Sequence, residues 1–297
     1  MIDKFQGSIV ALVTPMKASG AVDWPALDAL VDWHVESGTN GIVAVGTTGE
    51  SATLEVDEHL EVISRCVQRA RGALPIIAGT GANSTSEAVH LSKQAEGLGA
   101  DALLQVTPYY NKPTQSGLRA HFEAVAEAVT LPIILYNVPG RTACDLLPET
   151  IARLSGHPRV VGVKEASGDV GRVRQILAAC GDAFTVLSGE DELTAQMFAL
   201  GAVGVISVTA NIAPSLMARL CGAHARGDSA EVQRIDAHLQ PIHAAMFVES
   251  NPIPVKWALH CMGRIEVGIR LPLQVLSEAN RGILESLLDG IVSEEGL

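Results

Sequence analysis

Residues 132–164 read PIILYNVPGRTACDLLPETIARLSGHPRVVGVK. Pro132–Tyr136 and Val160–Lys164 are short apolar runs rich in Ile, Leu and Val, the composition of strands covered on both faces. Between them, Leu146-Leu147-Pro148-Glu149 opens a helix, with proline where its missing N–H is tolerated and an acid in the first turn. Two strands bridged by a helix in this span form a βαβ unit, whose strands are parallel.

The same rhythm extends in both directions. Ser8–Val13, Gly41–Val45, Pro75–Ala78, Ala102–Val106, Thr185–Leu187 and Gly204–Val208 are further candidate strands, which makes eight with the two above. Helix starts fall between them. Asp23-Trp24-Pro25 opens one, and Asn83-Ser84-Thr85-Ser86-Glu87 opens another with the capping-box relation Ser84 to Glu87. Strands recurring at roughly 30-residue intervals predict an α/β fold of the (β/α)8 TIM-barrel type. A doubly wound open sheet is the competing architecture, disfavoured by the strand number and by the lack of a Gly-x-Gly-x-x-Gly turn after the first strand. Strand signals stop near residue 224. The expected division is a barrel over residues 1–224 that carries the active site and a C-terminal helical domain over 225–297, where Asn251-Pro252-Ile253-Pro254 starts a helix and Leu271-Pro272-Leu273 breaks one.

The chain is 47% hydrophobic and 18% charged, enough apolar material for one large core with an extension. A net charge of −12 without any basic run argues against nucleic acid and anionic membranes as partners. Cys66, Cys144, Cys180, Cys221 and Cys261 form no Cys-x-x-Cys pair, and the odd total fits reduced thiols. The amino terminus, Met1 to Phe5, has no apolar signal core, and no run reaches transmembrane length, so a cytoplasmic location is expected.

Lys164 closes its strand where an unpaired ammonium is costly to desolvate. A lysine in such a setting retains neutral amine, the nucleophile that forms a Schiff base with a ketone. The alternative is a lysine that leaves the strand end and reaches solvent. In a barrel the carboxyl ends of the strands converge on one mouth, and the chemistry sits there. Tyr136 ends the strand before that of Lys164, and neighbouring strands lie about 5 Å apart, so its phenol is either a proton shuttle for the amine or an aromatic that fills the barrel. Gly46-Thr47-Thr48-Gly49-Glu50-Ser51 reads as an anion cradle or as a plain glycine-rich turn. Arg141, in the loop after Tyr136, reads as a carboxylate clamp or as a surface arginine. Glu190-Asp191-Glu192 fits a helix N-terminus better than a metal site, and the histidines form no metal-ligand spacing. Lys256 falls on a helix expected outside the barrel.

Gly46-Thr47-Thr48-Gly49-Glu50-Ser51-Ala52-Thr53-Leu54, Thr107-Pro108-Tyr109-Tyr110-Asn111, Leu135-Tyr136-Asn137-Val138-Pro139, Val163-Lys164-Glu165-Ala166, Gly204-Val205-Ile206-Ser207-Val208 and Asn251-Pro252-Ile253-Pro254-Val255-Lys256 together resemble the bacterial dihydrodipicolinate synthases. The resemblance runs nearly end to end and weakens after about residue 262. It implies a (β/α)8 barrel with a C-terminal helical domain, assembled as a homotetramer built from two dimers. It also implies condensation of pyruvate with L-aspartate semialdehyde through a lysine Schiff base, in the diaminopimelate route to lysine, without metal or organic cofactor. By the same resemblance Lys164 is the Schiff-base lysine. Tyr136, Thr47 and Tyr110 are the proton relay, with Tyr110 entering from the neighbouring subunit. The Thr47 and Thr48 backbones receive pyruvate's carboxylate, Arg141 clamps the semialdehyde carboxylate, and Gly189 and Ile206 line the pocket.

Sister families share the barrel and the lysine, namely N-acetylneuraminate lyases and 2-keto-3-deoxy sugar acid aldolases. Arg141 separates them from the synthases, because a sugar acid has no second carboxylate to clamp there. Two readings from other classes are a metal-dependent barrel enzyme using Glu190 and Asp191, and a sensor that binds 2-oxo acids without turnover. The resemblance further implies a feedback site for L-lysine at Ser51, Ala52, His59, Asn83, Glu87 and Tyr109. Val56 departs from it, standing where sensitive enterobacterial members carry histidine.

Overall fold

Every expected strand forms, and the ladder closes. In a computed structural model that describes residues 5–181 and 183–295, β1 (Gly7–Ala11), β2 (Gly41–Ala44), β3 (Ile76–Gly79), β4 (Ala102–Val106), β5 (Ile133–Asn137), β6 (Val160–Glu165), β7 (Thr185–Ser188) and β8 (Gly204–Ser207) make one closed parallel barrel in sequence order. Closure comes from β1 pairing with β8, Gly7 opposite Gly204 through Val10 opposite Ser207. Residues 1–4, on which the reading of an amino terminus without a signal core partly rests, lie outside the described set. No helix among the described residues is long and apolar enough to cross a membrane.

Strand ends shift by a residue or two from expectation, for a physical reason. Apolar character predicts a strand, but ladder hydrogen bonds end it. Asn137 and Glu165 are polar, yet they pair with each other and extend β5 and β6 past Tyr136 and Lys164. Helices Trp24–Glu36, Val56–Ala70, Thr85–Gly97, Gln115–Ala128, Pro148–Leu154, Arg172–Cys180, Thr194–Phe198 and Pro214–Ala225 follow the successive strands. Asp23 caps the first of these by accepting from the Ala26 amide. The capping box expected between Ser84 and Glu87 does not form. Ser84 is the N-cap, but its hydroxyl bonds Ser86 instead, while Glu87 lines a cavity. The box appears one helix earlier, between Glu55 and Glu58.

The core has two layers. Helix faces pack on the outer strand faces around Leu27, Ile63, Phe122 and Ile176. Inward-facing Ile9, Val43, Ile77, Leu104, Ile134, Leu187 and Ile206 fill the barrel with Phe5 and Tyr136. Because these side chains pack the interior, the cavity that reaches Tyr136 opens at the carboxyl ends of the strands. Beyond residue 225, helices Ser229–Ala245, Ile253–Cys261 and Glu278–Glu294 form the C-terminal segment. The expected helix start at Ile253 forms, and no helix spans Leu271–Leu273.

Candidate active site at the barrel mouth

Parallel register sets Tyr136 directly opposite Lys164, with Leu187 opposite Lys164 on the other side. Both polar side chains are only 6% exposed, and the Lys164 Nζ lies 4.2 Å from the centroid of the Tyr136 ring. The amine therefore rests on an aromatic face at the end of a dry barrel interior. These two residues line a cavity of about 200 Å³ together with Thr47, Thr48, Arg141 and Gly189. Gly189 has no side chain to spare: a Cβ there would meet Ala166 Cβ at 2.7 Å and Lys164 Cε at 3.0 Å.

The turn after β2 is tied by the Gly49 N–H donating to Gly46 O and the Glu50 N–H donating to Thr47 O, at 3.0 and 3.1 Å. Thr14 Oγ1 donates to Gly49 O at 2.7 Å. Glu50 sits in the left-handed region at φ 56°, a conformation that costs a non-glycine residue about 1–2 kcal/mol. Asn251 reaches in from the C-terminal segment. Its Nδ2 donates to Thr48 Oγ1 at 2.9 Å, its carbonyl accepts from Arg141 Nη2 at 3.2 Å, and its Oδ1 is buried with no partner. An acceptor of that kind on a cavity wall suits a ligand N–H or O–H.

Behind the lysine, Asn137 Nδ2 donates to Asp145 Oδ1 at 2.9 Å and to both oxygens of Glu165. Arg172 holds Asp145 from the far side, Nη1 to Oδ1 at 2.8 Å. Burial raises the Glu165 carboxyl above its usual range, against the lowering effect of its Ser167 and Asn137 hydrogen bonds. Glu190 lines the cavity, and burial followed by the Glu165 charge raises its carboxyl as well, with Lys164 opposing. Asp191 is used differently: Oδ2 accepts from the Val208 and Thr209 amides at 2.9 and 3.0 Å, tying the turn after β7 to the turn after β8.

A second, outer cavity of about 430 Å³ adjoins the first and shares Thr47 and Arg141 with it. Ser51, Ala52, Val56, His59, Glu87 and Tyr109 line it. His59 Nε2 lies 2.9 Å from Gly79 O, so the nitrogen facing that carbonyl carries the proton. Burial lowers the imidazole's pKa, which keeps it a neutral donor. Burial and then the Glu87 charge raise the Tyr109 phenol. Asn83 is not among the lining residues; its carbonyl accepts from Asn111 Nδ2 at 2.9 Å. Two expected residues lie apart from the inner cavity. Ile206 packs within the barrel in the layer that contains Tyr136, and Tyr110 is 89% exposed with φ 74°.

Glu50 falls within the cradle stretch Gly46–Ser51, but nothing local marks Asn251 or Lys256 as its neighbours, although both lie in the Asn-Pro-Ile-Pro-Val-Lys run. Lys256 lies on a helix outside the barrel, as expected, yet it is buried and ion-paired to Glu50 of the turn that carries Thr47 and Thr48. A lysine within an otherwise apolar run was the available signal.

A closed parallel barrel with a buried lysine at the carboxyl end of its sixth strand, set against a phenol, defines a Schiff-base-forming barrel lyase. The chain belongs to the dihydrodipicolinate synthetase family, whose model matches residues 4–291. It is 59% identical to the 4-hydroxy-tetrahydrodipicolinate synthase of Pseudomonas aeruginosa over 271 residues, 91% of this chain and 93% of that one. The corresponding synthase of Acidithiobacillus ferrooxidans is 57% identical over 284 residues, 96% and 98% of the two chains. The chloride-inhibited dihydrodipicolinate synthase of Acinetobacter baumannii, solved with pyruvate, superposes with TM-score 0.95 at 54% identity, covering 96% of this chain and 98% of that one. The Cyanidioschyzon merolae enzyme, solved with lysine bound, gives TM-score 0.92 at 38% identity over 99% of both chains.

Proposed function

We propose that the barrel mouth carries out the family's condensation of pyruvate with L-aspartate semialdehyde to 4-hydroxy-tetrahydrodipicolinate, a step of lysine biosynthesis through diaminopimelate. Lys164 Nζ attacks C2 of pyruvate and water leaves, giving an imine. The imine accepts the electron pair released when a methyl proton departs, and the enamine so formed attacks the aldehyde carbon. Tyr136, whose ring is in contact with Nζ, moves these protons, with Thr47 and the neighbouring subunit's copy of Tyr110 completing the relay. Thr47 and Thr48 hold the pyruvate carboxylate, Arg141 holds that of the semialdehyde, and Gly189 leaves room for Lys164 to swing. The semialdehyde's own amine then attacks the imine carbon and displaces Lys164 as the ring closes.

The observation that carries this reading is the Lys164–Tyr136 contact of 4.2 Å inside a cavity that also presents Thr47, Thr48 and Arg141. Treatment with pyruvate and borohydride should add a reduced pyruvyl group at Lys164. Labelling at another lysine, or none, refutes it.

The outer cavity is proposed to take L-lysine through Ser51, Ala52, His59, Asn83, Glu87 and Tyr109, as the lysine-bound Cyanidioschyzon merolae relative encourages. Val56 supplies no polar contact, so binding is weaker than with histidine there. The exposed Tyr110 fits assembly into a homotetramer. A barrel unit to residue 224, a helical unit from 225 and a cytoplasmic setting complete the reading.

A further inference from the structure

We propose that Glu50 and Lys256 form a buried latch through which the C-terminal segment sets the geometry of the carboxylate cradle at Thr47 and Thr48. Lys256 is therefore a positioning residue for pyruvate binding, and the inference rests on the reading of that turn as the pyruvate carboxylate site.

The pair is almost wholly withdrawn from water, with side-chain exposures of 5% for Lys256 and 0% for Glu50. Burying two opposite charges is a poor way to gain stability, because an apolar pair of the same volume does as well or better. What the pair does is fix distances. Glu50 Oε1 accepts from Lys256 Nζ, and Oε2 accepts from the Arg270 amide at 3.2 Å, so both carboxylate oxygens are held. Glu50 is the last residue of the tied turn, and its N–H donates to the carbonyl of Thr47. Its left-handed backbone must be imposed from outside, and the held carboxylate imposes it.

Neighbouring contacts act in the same direction. The Arg270 guanidinium donates to Thr53 O at 2.9 Å and to both oxygens of Glu58 at 2.6 and 2.7 Å, while Asn251 bonds the Thr48 hydroxyl. Residues 251–270 thus grip the stretch 48–58 at several points, with Glu50–Lys256 the one charged contact that is fully buried. Lys256 itself does not line the inner cavity; it lies behind the turn, beside Ile253 and Trp257. Burial pulls the Lys256 ammonium down, and the Glu50 carboxylate beside it opposes that shift.

The test compares wild type, Lys256→Met and the paired Glu50→Gln/Lys256→Met variant. Thermal unfolding reads stability. The pyruvate concentration for half-maximal borohydride labelling of Lys164 reads pyruvate binding alone, and steady-state kinetics give KM for both substrates. Lys256→Met leaves a buried carboxylate unpaired, so stability and pyruvate affinity both fall. The paired variant has no buried charge, so its thermal midpoint recovers. Its turn is no longer drawn to the helix, however, so half-labelling by pyruvate stays about tenfold or more above wild type while the semialdehyde KM moves by less than about threefold. Should Lys256→Met fail to fold, the paired variant gives the same discrimination. Wild-type pyruvate affinity in the folded paired variant overturns the latch, since the pair would then be structural only. Absence of labelling at Lys164 in the wild type overturns the functional reading and the latch together, which distinguishes the two failures.

Discussion

Gly189→Ala tests the site at its tightest point. The added Cβ would lie 2.7 Å from Ala166 Cβ, 3.0 Å from Lys164 Cε and 3.1 Å from Glu165 O. Carbon atoms prefer about 3.5–4.0 Å, so the contact with Ala166 is short by roughly 0.8 Å and that with Lys164 by about half an ångström. Neither Ala166 nor the Glu165 carbonyl can rotate away, and Lys164 is the only flexible neighbour of the three. The lysine tail can move aside, but the 2.7 Å contact with Ala166 Cβ is relieved only by a shift of the backbone that carries Ala166 or Gly189, which displaces the mouth around the lysine as well. Overpacking of this kind costs about 1–3 kcal/mol, and a midpoint drop of roughly 2–4 °C for each kcal/mol follows. A nucleophile misplaced by up to about 1 Å loses roughly 10–10²-fold in rate. The assay is the single-turnover rate of pyruvate trapping by borohydride, measured beside the thermal midpoint. Gly282→Ala serves as the control, because a Cβ there meets no heavy atom within 4 Å. Wild-type trapping rate and stability in Gly189→Ala would show that the mouth is roomier than described and that Gly189 is not required for space.

Tyr136→Phe keeps the ring under Nζ and removes the hydroxyl, so it should fold normally and lose roughly 10²–10⁴-fold in turnover; near-normal activity refutes the proton role. Arg141→Ala should weaken use of the semialdehyde by about 2–4 kcal/mol while pyruvate trapping persists, and the reverse pattern in steady-state and trapping assays would move Arg141 to the pyruvate side. Val56→His should tighten L-lysine binding by about 1.5–3 kcal/mol in calorimetric titration, and equal affinity in both proteins would show that position 56 is irrelevant. His34 is wholly buried against Thr39, and burial pushes it down from 6.5 to about 3. Its folded pKa lies below its unfolded one, so the neutral form is favoured by folding: the contribution is complete above pH 6.5 and is lost as pH falls toward 3. His34 should contribute a slope of about 1.4 kcal/mol per pH unit in that window, read as the difference between wild type and His34→Gln in urea unfolding; an unchanged slope refutes the assignment.

The barrel was legible because each strand is a compact apolar run and each connection carries a helix, with a further single turn, Pro139–Thr142, before the helix between β5 and β6. Lys164 and Tyr136 could be paired from sequence because consecutive strands of a parallel barrel are neighbours. Their register was not readable: β5 and β6 shift by one residue between Ile133 and Ile134, and only the ladder reveals that Tyr136 faces Lys164 directly. Asn251 meets Thr48 across 203 residues of chain and Lys256 meets Glu50 across 206, contacts that no local pattern encodes. Ser84 failed as a box residue because the Ser-x-x-Glu spacing allows the reciprocal bonds without requiring them, and Ser86 offered its hydroxyl a nearer partner.

Thr47 and Arg141 each form part of the wall of both cavities. A ligand in the outer chamber that shifts either side chain would change the free energy of one in the inner chamber, and such coupling is symmetric. If the outer ligand weakens pyruvate binding by some factor, pyruvate weakens the outer ligand by the same factor. With such coupling, occupancy of the outer chamber depends on the substrate concentration as well as on the effector's own. Rising pyruvate would then weaken the outer ligand's hold at a fixed concentration of that ligand.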